Sequence, residues 1–186
     1  GPTALSWFIA GHEIPDDHWY FSEEEGGRIL GNLIHWSDLT FRLIGDSRAW
    51  PCRVVPASPT GSKSDFLVGL EFGDGSSAAI SFSAKGHTFE GVKEVLNLQK
   101  GDLISSLSDF QRLAVDIGPR KHQYRLRHRQ YGHRENIVSS LRKATEHGMG
   151  EESTTVWVSS ALVLSIRDAL DTGQPQFLEG PFAPSI

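Results

Sequence analysis

Phe66-Leu67-Val68-Gly69-Leu70-Glu71-Phe72-Gly73-Asp74-Gly75-Ser76-Ser77-Ala78-Ala79-Ile80-Ser81-Phe82 is the stretch that decides the fold class. Phe66, Val68, Leu70 and Phe72 are each two residues apart, and so are Ala78, Ile80 and Phe82. Successive side chains of a strand point to opposite faces, so each set shares one face. Gly73-Asp74-Gly75-Ser76 between them is turn chemistry, and the whole reads as a β-hairpin with one apolar face. The same letters match a dinucleotide-binding pattern, G-x-G-x-x-A. That fingerprint needs a helix directly after the glycines, so that a pyrophosphate can sit on its N-terminus. Ala79 to Phe82 keeps period two instead, and the hairpin reading prevails.

Outward from the hairpin, Leu5 to Ile9 reads as another strand. Ser22 and Glu25 have capping-box spacing, and Ile29, Leu33 and Trp36 recur at helical intervals. A helix over 23–36 is therefore expected, although Gly26, Gly27 and Gly31 oppose it. Leu39, Phe41 and Leu43 alternate like a strand. The stretch 88–98 fits helix or strand. Leu103, Leu107, Phe110 and Ala114 fit a helix face after a turn at Gly101. Gly118-Pro119 breaks the chain, and Tyr124 to Gln130 alternates again. Arg134 to His147 reads as a helix stopped by Gly148. Val156 and Val158 suggest a last strand, and Ser160 the cap of a final helix reaching about Leu170. The reading is an α+β fold: a single domain over 3–174 with a mostly antiparallel sheet and about three helices packed on it. An irregular tail is expected over 175–186. Residues 56–64 read as a surface loop.

The 186 residues, 38% hydrophobic and 22% charged, suffice for a packed core and exclude global disorder. No apolar run approaches the length of a membrane span. One cysteine, Cys52, rules out an internal disulfide and a four-cysteine zinc site, and it reads as a small core residue. A reducing cytoplasm is the simplest setting, with no leader or transit pattern. Gly1-Pro2 reads as a cleavage scar. With Met149 the only methionine, the native start is expected to be missing.

Several motifs fail on their own geometry. Gly61-Ser62-Lys63-Ser64 lacks the rest of a phosphate loop. His12-Glu13 has Asp16 where a metalloprotease helix needs its second histidine, and Pro15 interrupts the turn. His12, Asp16, Asp17 and His18 read as a solvated acidic loop, so no metal is expected. No serine-nucleophile elbow is present. No cofactor is implied by any motif. Trp7, Trp19, Trp36 and Trp50 read mainly as core.

Charge is segregated. Residues 119–134 hold six of the 18 Lys and Arg and no acid, which leaves 12 against 23 acids elsewhere. The net charge of −5 thus divides into +6 in one short stretch and −11 over the rest. If 124–130 is a strand, Arg125, Arg127 and Arg129 leave one face together, with Tyr124, Leu126 and His128 on the other. Guanidinium suits phosphate. The expected site is therefore an anion-binding strand of Arg120, Lys121, Arg125, Arg127, His128, Arg129, Tyr131, His133 and Arg134. The expected function is a non-enzymatic intracellular binding module that docks a polyanion, a nucleic acid or phosphorylated ligand. A second reading uses the acidic block Glu13 to Glu25. There Trp19, Tyr20, Glu23, Glu24 and Glu25 would hold a protein partner, as in an adaptor, inhibitor or immunity-type protein. A third is an enzyme using histidine acid–base chemistry through His35, His87 or His128.

Overall fold

A computed structural model describes residues 1–44, 50–61, 64–85, 91–127, 132–147 and 153–180. The hairpin at its centre forms as the alternation dictates. Strands β3 (Asp65–Phe72) and β4 (Ser77–Ser83) pair antiparallel, with Phe66 opposite Phe82, Val68 opposite Ile80 and Leu70 opposite Ala78. All six of these side chains are buried. Asp74 shapes the turn: its carboxylate accepts from the Ser76 backbone at 2.8 Å and from the Ser76 hydroxyl at 3.0 Å. The same hydroxyl accepts from the buried Thr3 amide at 2.9 Å, which ties the turn to the first strand. Gly73 is required by close approach, since a Cβ there would lie 2.7 Å from the Trp50 carbonyl oxygen. The glycines serve a hairpin, and no helix follows them.

Strand β1 (Thr3–Gly11) lies parallel to β4 and antiparallel to β5 (Val92–Lys100). On the β4 side follow β3, β2 (Cys52–Pro56) and β9 (Gln176–Leu178). On the β5 side follow β6 (Leu103–Ser108), β7 (Arg112–Ile117) and β8 (Arg120–Arg125). The order is β8-β7-β6-β5-β1-β4-β3-β2-β9, and β1–β4 is its one parallel pair among the described residues. With helices α1 (Ile34–Ile44), α2 (His133–His147) and α3 (Ser153–Thr172), this is the α+β single domain the sequence implied.

Helices α1 and α3 cover one half of the sheet. Val158, Leu162, Val163, Ile166, Ala169 and Leu170 of α3 are buried at helical spacing and pack α3 on α1, β2 and β9. Val156 and Val158 therefore belong to α3 and not to a strand. The segment around Leu39, Phe41 and Leu43 is also helix. Trp36, Ser37, Thr40 and Ile44 form its buried stripe. Leu39 and Leu43 lie on one flank, and Phe41 on the other, 5.9 Å from the Trp50 ring. Their apparent alternation is two flanks of one helix. The reverse error occurs at Leu103 and Leu107. A spacing of four satisfies both a helix and a strand, and here they belong to β6. Phe110 sits in the β6–β7 turn, where Asp109 and Phe110 both have positive φ, of 52° and 49°. The ambiguous 88–98 resolves as β5 from Val92 onward, and the expected irregular tail contains β9, paired to β2. The helix expected over 134–147 is α2. Its expected stop, Gly148, lies outside the described residues.

Candidate active site

The chain reaches α1 through three short pieces. Residues Trp19–Phe21 and Glu23–Glu25 are single 3-10 turns, and Ile29–Leu33 is a π-helical turn running directly into α1. The glycines that weakened the helix expected over 23–36 thus mark a real interruption. π-turns are rare and concentrate at functional sites.

Two indole N–H groups seat α1 over the sheet. Trp7 Nε1 donates to Thr40 Oγ1 at 2.9 Å, and Trp36 Nε1 donates to the Glu94 carboxylate at 2.5 Å. Glu94 is buried on β5, and its backbone N–H donates to Asp109 at 3.0 Å, which locks the β6–β7 turn to β5. On the flank of α1, Ser159 of α3 donates to Asp38, which also pairs with Arg42 at 2.7 Å. The helix is therefore fixed in rotation, and with it the side chains it presents.

Arg28 anchors the approach. Its side chain is buried, with the guanidinium 5.4 Å from the Phe82 ring centre and 5.8 Å from that of Tyr20. It donates to the His12 carbonyl, and its Nε has no hydrogen-bond partner among the described residues. Burial lowers its pKa, while Tyr20 opposes that shift. The Tyr20 hydroxyl donates to Asn32 Oδ1 at 2.7 Å.

One turn beyond Asn32 stands His35, exposed and edge-on to Trp36 at 6.4 Å. A further turn on is Leu39, which with Leu43 forms one wall of a trough of about 500 Å3. Its floor is the helix-side row of the uncovered strands: Leu96, Leu98, Leu107, Leu113 and Val115. Phe110 also lines it, 6.4 Å from Trp7, and Lys100 and Ser105 add polar atoms. A mostly apolar concavity with few polar groups is the usual form of a small-molecule site. The arrangement supplies an imidazole that can take or give a proton, an amide that can hydrogen-bond a ligand, and a trough to receive the ligand.

The basic stretch is strand only in part among the described residues. Strand β8 ends at Arg125, and Arg127 lies in a bend where its carbonyl accepts from Gln111 at 3.3 Å. Arg125 and Arg127 are therefore not successive same-face positions of one strand. Across the pair, Lys121 and Arg125 share one face of β8, Arg120 lies on the other, and Arg125 stands opposite Arg112. His133 and Arg134 open α2, which is exposed along its described length. His128, Arg129 and Tyr131 lie outside the described residues, as does His87. In the acidic block Trp19 is exposed, as are Glu24 and Glu25, and Glu23 joins them in one 3-10 turn. Tyr20 turns inward to Asn32 and is not a surface anchor. Of the histidines singled out, His35 alone lies among the described residues, one helical turn before Leu39 of the trough wall. What the sequence reading missed was its neighbours. Asn32 and Arg28 carry no motif, and their grouping depends on the π-turn and on β1.

Neither a family model nor a curated protein matches the sequence. Solved structures match the fold. A levoglucosan dehydrogenase in complex with NADH and levoglucosan superposes with a TM-score of 0.69 at 13% identity, over 100% of this chain and 60% of that one. The UDP-N-acetylglucosamine 3-dehydrogenase of Acidithiobacillus ferrooxidans gives 0.67 at 18%, over 92% and 54%. An oxidoreductase domain protein from Kribbella flavida gives 0.69 at 13%, over 95% and 57%. The fold is shared with dehydrogenases. The chain spans a little over half the length of these proteins.

These likenesses overturn the expected function. A non-enzymatic module docking a nucleic acid or phosphate ligand on Arg120 to Arg134 has no counterpart among them, nor has an adaptor or inhibitor acting through Trp19 to Glu25. The matched structures are described as oxidoreductases, one holding NADH and a sugar. The misreading has a physical cause: a run of arginines on an edge strand and its following bend is a solvated face. No helix among the described residues is long and apolar enough to cross a membrane.

Proposed function

We propose that this chain is the substrate-side, sheet-bearing part of an oxidoreductase acting on a carbohydrate hydroxyl, with His35 as its acid–base group. The observation that carries the reading is the exposed His35 on a helix fixed by two buried indole bonds, one turn from Asn32 and one turn before Leu39 of the trough wall. The shared fold supports it, as do the carbohydrate substrates named for the neighbours.

Oxidising a secondary alcohol to a ketone requires the O–H bond to break as the C=O bond forms. Imidazole is suited to take that proton near neutral pH, and to return it in the reverse direction. Asn32 would orient the hydroxyl, and the trough would exclude water from one side of the sugar ring. The nicotinamide cofactor named for a neighbour is not cradled by the described residues. Gly73 to Ala78 closes a hairpin, and no other glycine-rich strand-to-helix turn is described. No hydride step is therefore assigned to this chain, and the nucleotide would be held by another segment or chain. A reducing, cytoplasmic setting belongs to the same reading. Its support is a lone cysteine, Cys52, that is kept buried with its thiol pushed up to about 12 by burial and by Glu71.

The test is a titration of the 15N-labelled protein with levoglucosan and with UDP-N-acetylglucosamine. Amide shifts should centre on Asn32, His35 and Leu39, and His35→Ala should weaken binding about 5- to 10-fold, the scale of one hydrogen bond. Absence of any shift near α1, or shifts centred on β8, would sink the reading.

A further inference from the structure

We infer that Tyr20 is a positioning residue of this site, aiming the Asn32 amide N–H outward as a donor to the substrate oxygen beside His35. The inference rests on the reading of α1 as the substrate-side helix. A primary amide presents an acceptor on one side and two donor hydrogens on the other, and a free side chain can present either. At Asn32 the amide is oriented, because Oδ1 accepts a hydrogen bond from the Tyr20 hydroxyl at 2.7 Å. With Oδ1 turned to Tyr20, the half-buried Asn32 has its Nδ2 donors on the opposite side of the amide.

The surroundings of the phenol favour this one arrangement. Glycine at 31 leaves the phenol in this place, since a Cβ there would lie 2.5 Å from the Tyr20 hydroxyl oxygen and would displace it. The Trp19 and Phe21 rings stand nearly perpendicular to the Tyr20 ring at 5.9 Å each, and Arg28 lies 5.8 Å from its centre. The Tyr20 backbone N–H donates to His18 Nδ1 at 3.2 Å, which stiffens the 3-10 turn carrying it. Burial raises the phenol pKa more than Arg28 lowers it, so the hydroxyl keeps its proton and stays a donor. An outward amide donor suits the lone pairs of a sugar oxygen. A ligand offering only donors there would be left unpaired.

Three measurements on the intact chain test this. The first needs no ligand: in Tyr20→Phe the Asn32 side-chain NH2 resonances should shift and exchange faster, with the α1 backbone resonances in place. Unchanged NH2 resonances would overturn the inference. The second is levoglucosan binding, which Tyr20→Phe should weaken about 3- to 10-fold, the worth of one oriented hydrogen bond. If the wild type binds at His35 and Tyr20→Phe binds equally well, the positioning role fails and the site survives. If the wild type binds neither levoglucosan nor UDP-N-acetylglucosamine, the reading of the site fails and takes this role with it. The third guards against misfolding. Asn32→Asp keeps the acceptor for Tyr20 but replaces the outward donor by an acceptor, and it should lose binding as Tyr20→Phe does. Undiminished binding by Asn32→Asp would overturn the inference.

Discussion

The two halves of the sheet have similar alternation and different fates. Under α1 and α3, the helix-side residues of β1, β4, β3 and β2 are almost without exposure: Ile9, Ile80, Val68, Leu70 and Val54 are all at 0%. Beyond β5 the same side carries Leu98, Leu103, Leu107, Leu113 and Val115, which stay partly exposed because no described helix lies over them. The covered half is core. The open half is a floor, and α1, which carries His35, is held at the boundary between them by Trp7 of β1 and Glu94 of β5. Apolar alternation thus marks which side chains share a face, and not whether that face is filled.

The strongest way to break this comparison is truncation on each side of the boundary. Ile166→Ala in the covered half should cost about 2–5 kcal/mol by urea unfolding, the price of a buried cavity. Leu113→Ala on the open floor should cost under about 1 kcal/mol, since less surface is lost from contact. Equal costs would mean the floor is core after all.

Next is the pH dependence of the covered half. Cys52 is buried on β2, and its folded pKa lies above that of a free thiol. The folded state therefore favours the neutral thiol. The associated stability is fully present below about pH 9 and falls as pH rises toward 12, by up to about 1.4 kcal/mol per pH unit. Urea midpoints of Cys52→Ala should lack that part of the slope. A matching slope in both proteins would contradict it.

At the boundary itself, Trp36→Phe removes the indole N–H from Glu94 and leaves a buried carboxylate short of one donor. A loss of about 1.5–3 kcal/mol is expected from chemical denaturation. A smaller effect is expected at Gly31. There Gly31→Ala forces the Tyr20 hydroxyl to shift, at about 1–3 kcal/mol. Its sharper signature is a change at the Asn32 NH2 resonances, which a purely stabilising role for Gly31 would not produce.

The errors of sequence reading follow the same line. The β3–β4 hairpin was legible because strand period, turn chemistry and pairing are all local. Helix α2 was legible too, from its own periodicity. Leu39 to Leu43 was misread because two flanks of a helix imitate a strand when its buried stripe, Trp36, Thr40 and Ile44, runs between them. Leu103 and Leu107 were misread because a spacing of four fits both periods. Of the candidate site, His35 was visible as a residue type and nothing more. The basic stretch stood out more strongly and misled, because charge density along a chain does not say where the strand ends.

What the sequence by itself determined is the class of fold, the central hairpin, the burial of Cys52, and the false status of the Gly73 to Ala78 fingerprint. Each is decided by residues within one or two elements. Only the tertiary structure decided that His12, Tyr20, Arg28 and Asn32 are linked to one another, and that Glu94 of β5 holds Trp36 of α1. Residues up to 58 positions apart are joined there by single hydrogen bonds. No periodicity records such a bond, because its energy appears only once the sheet has brought the partners together.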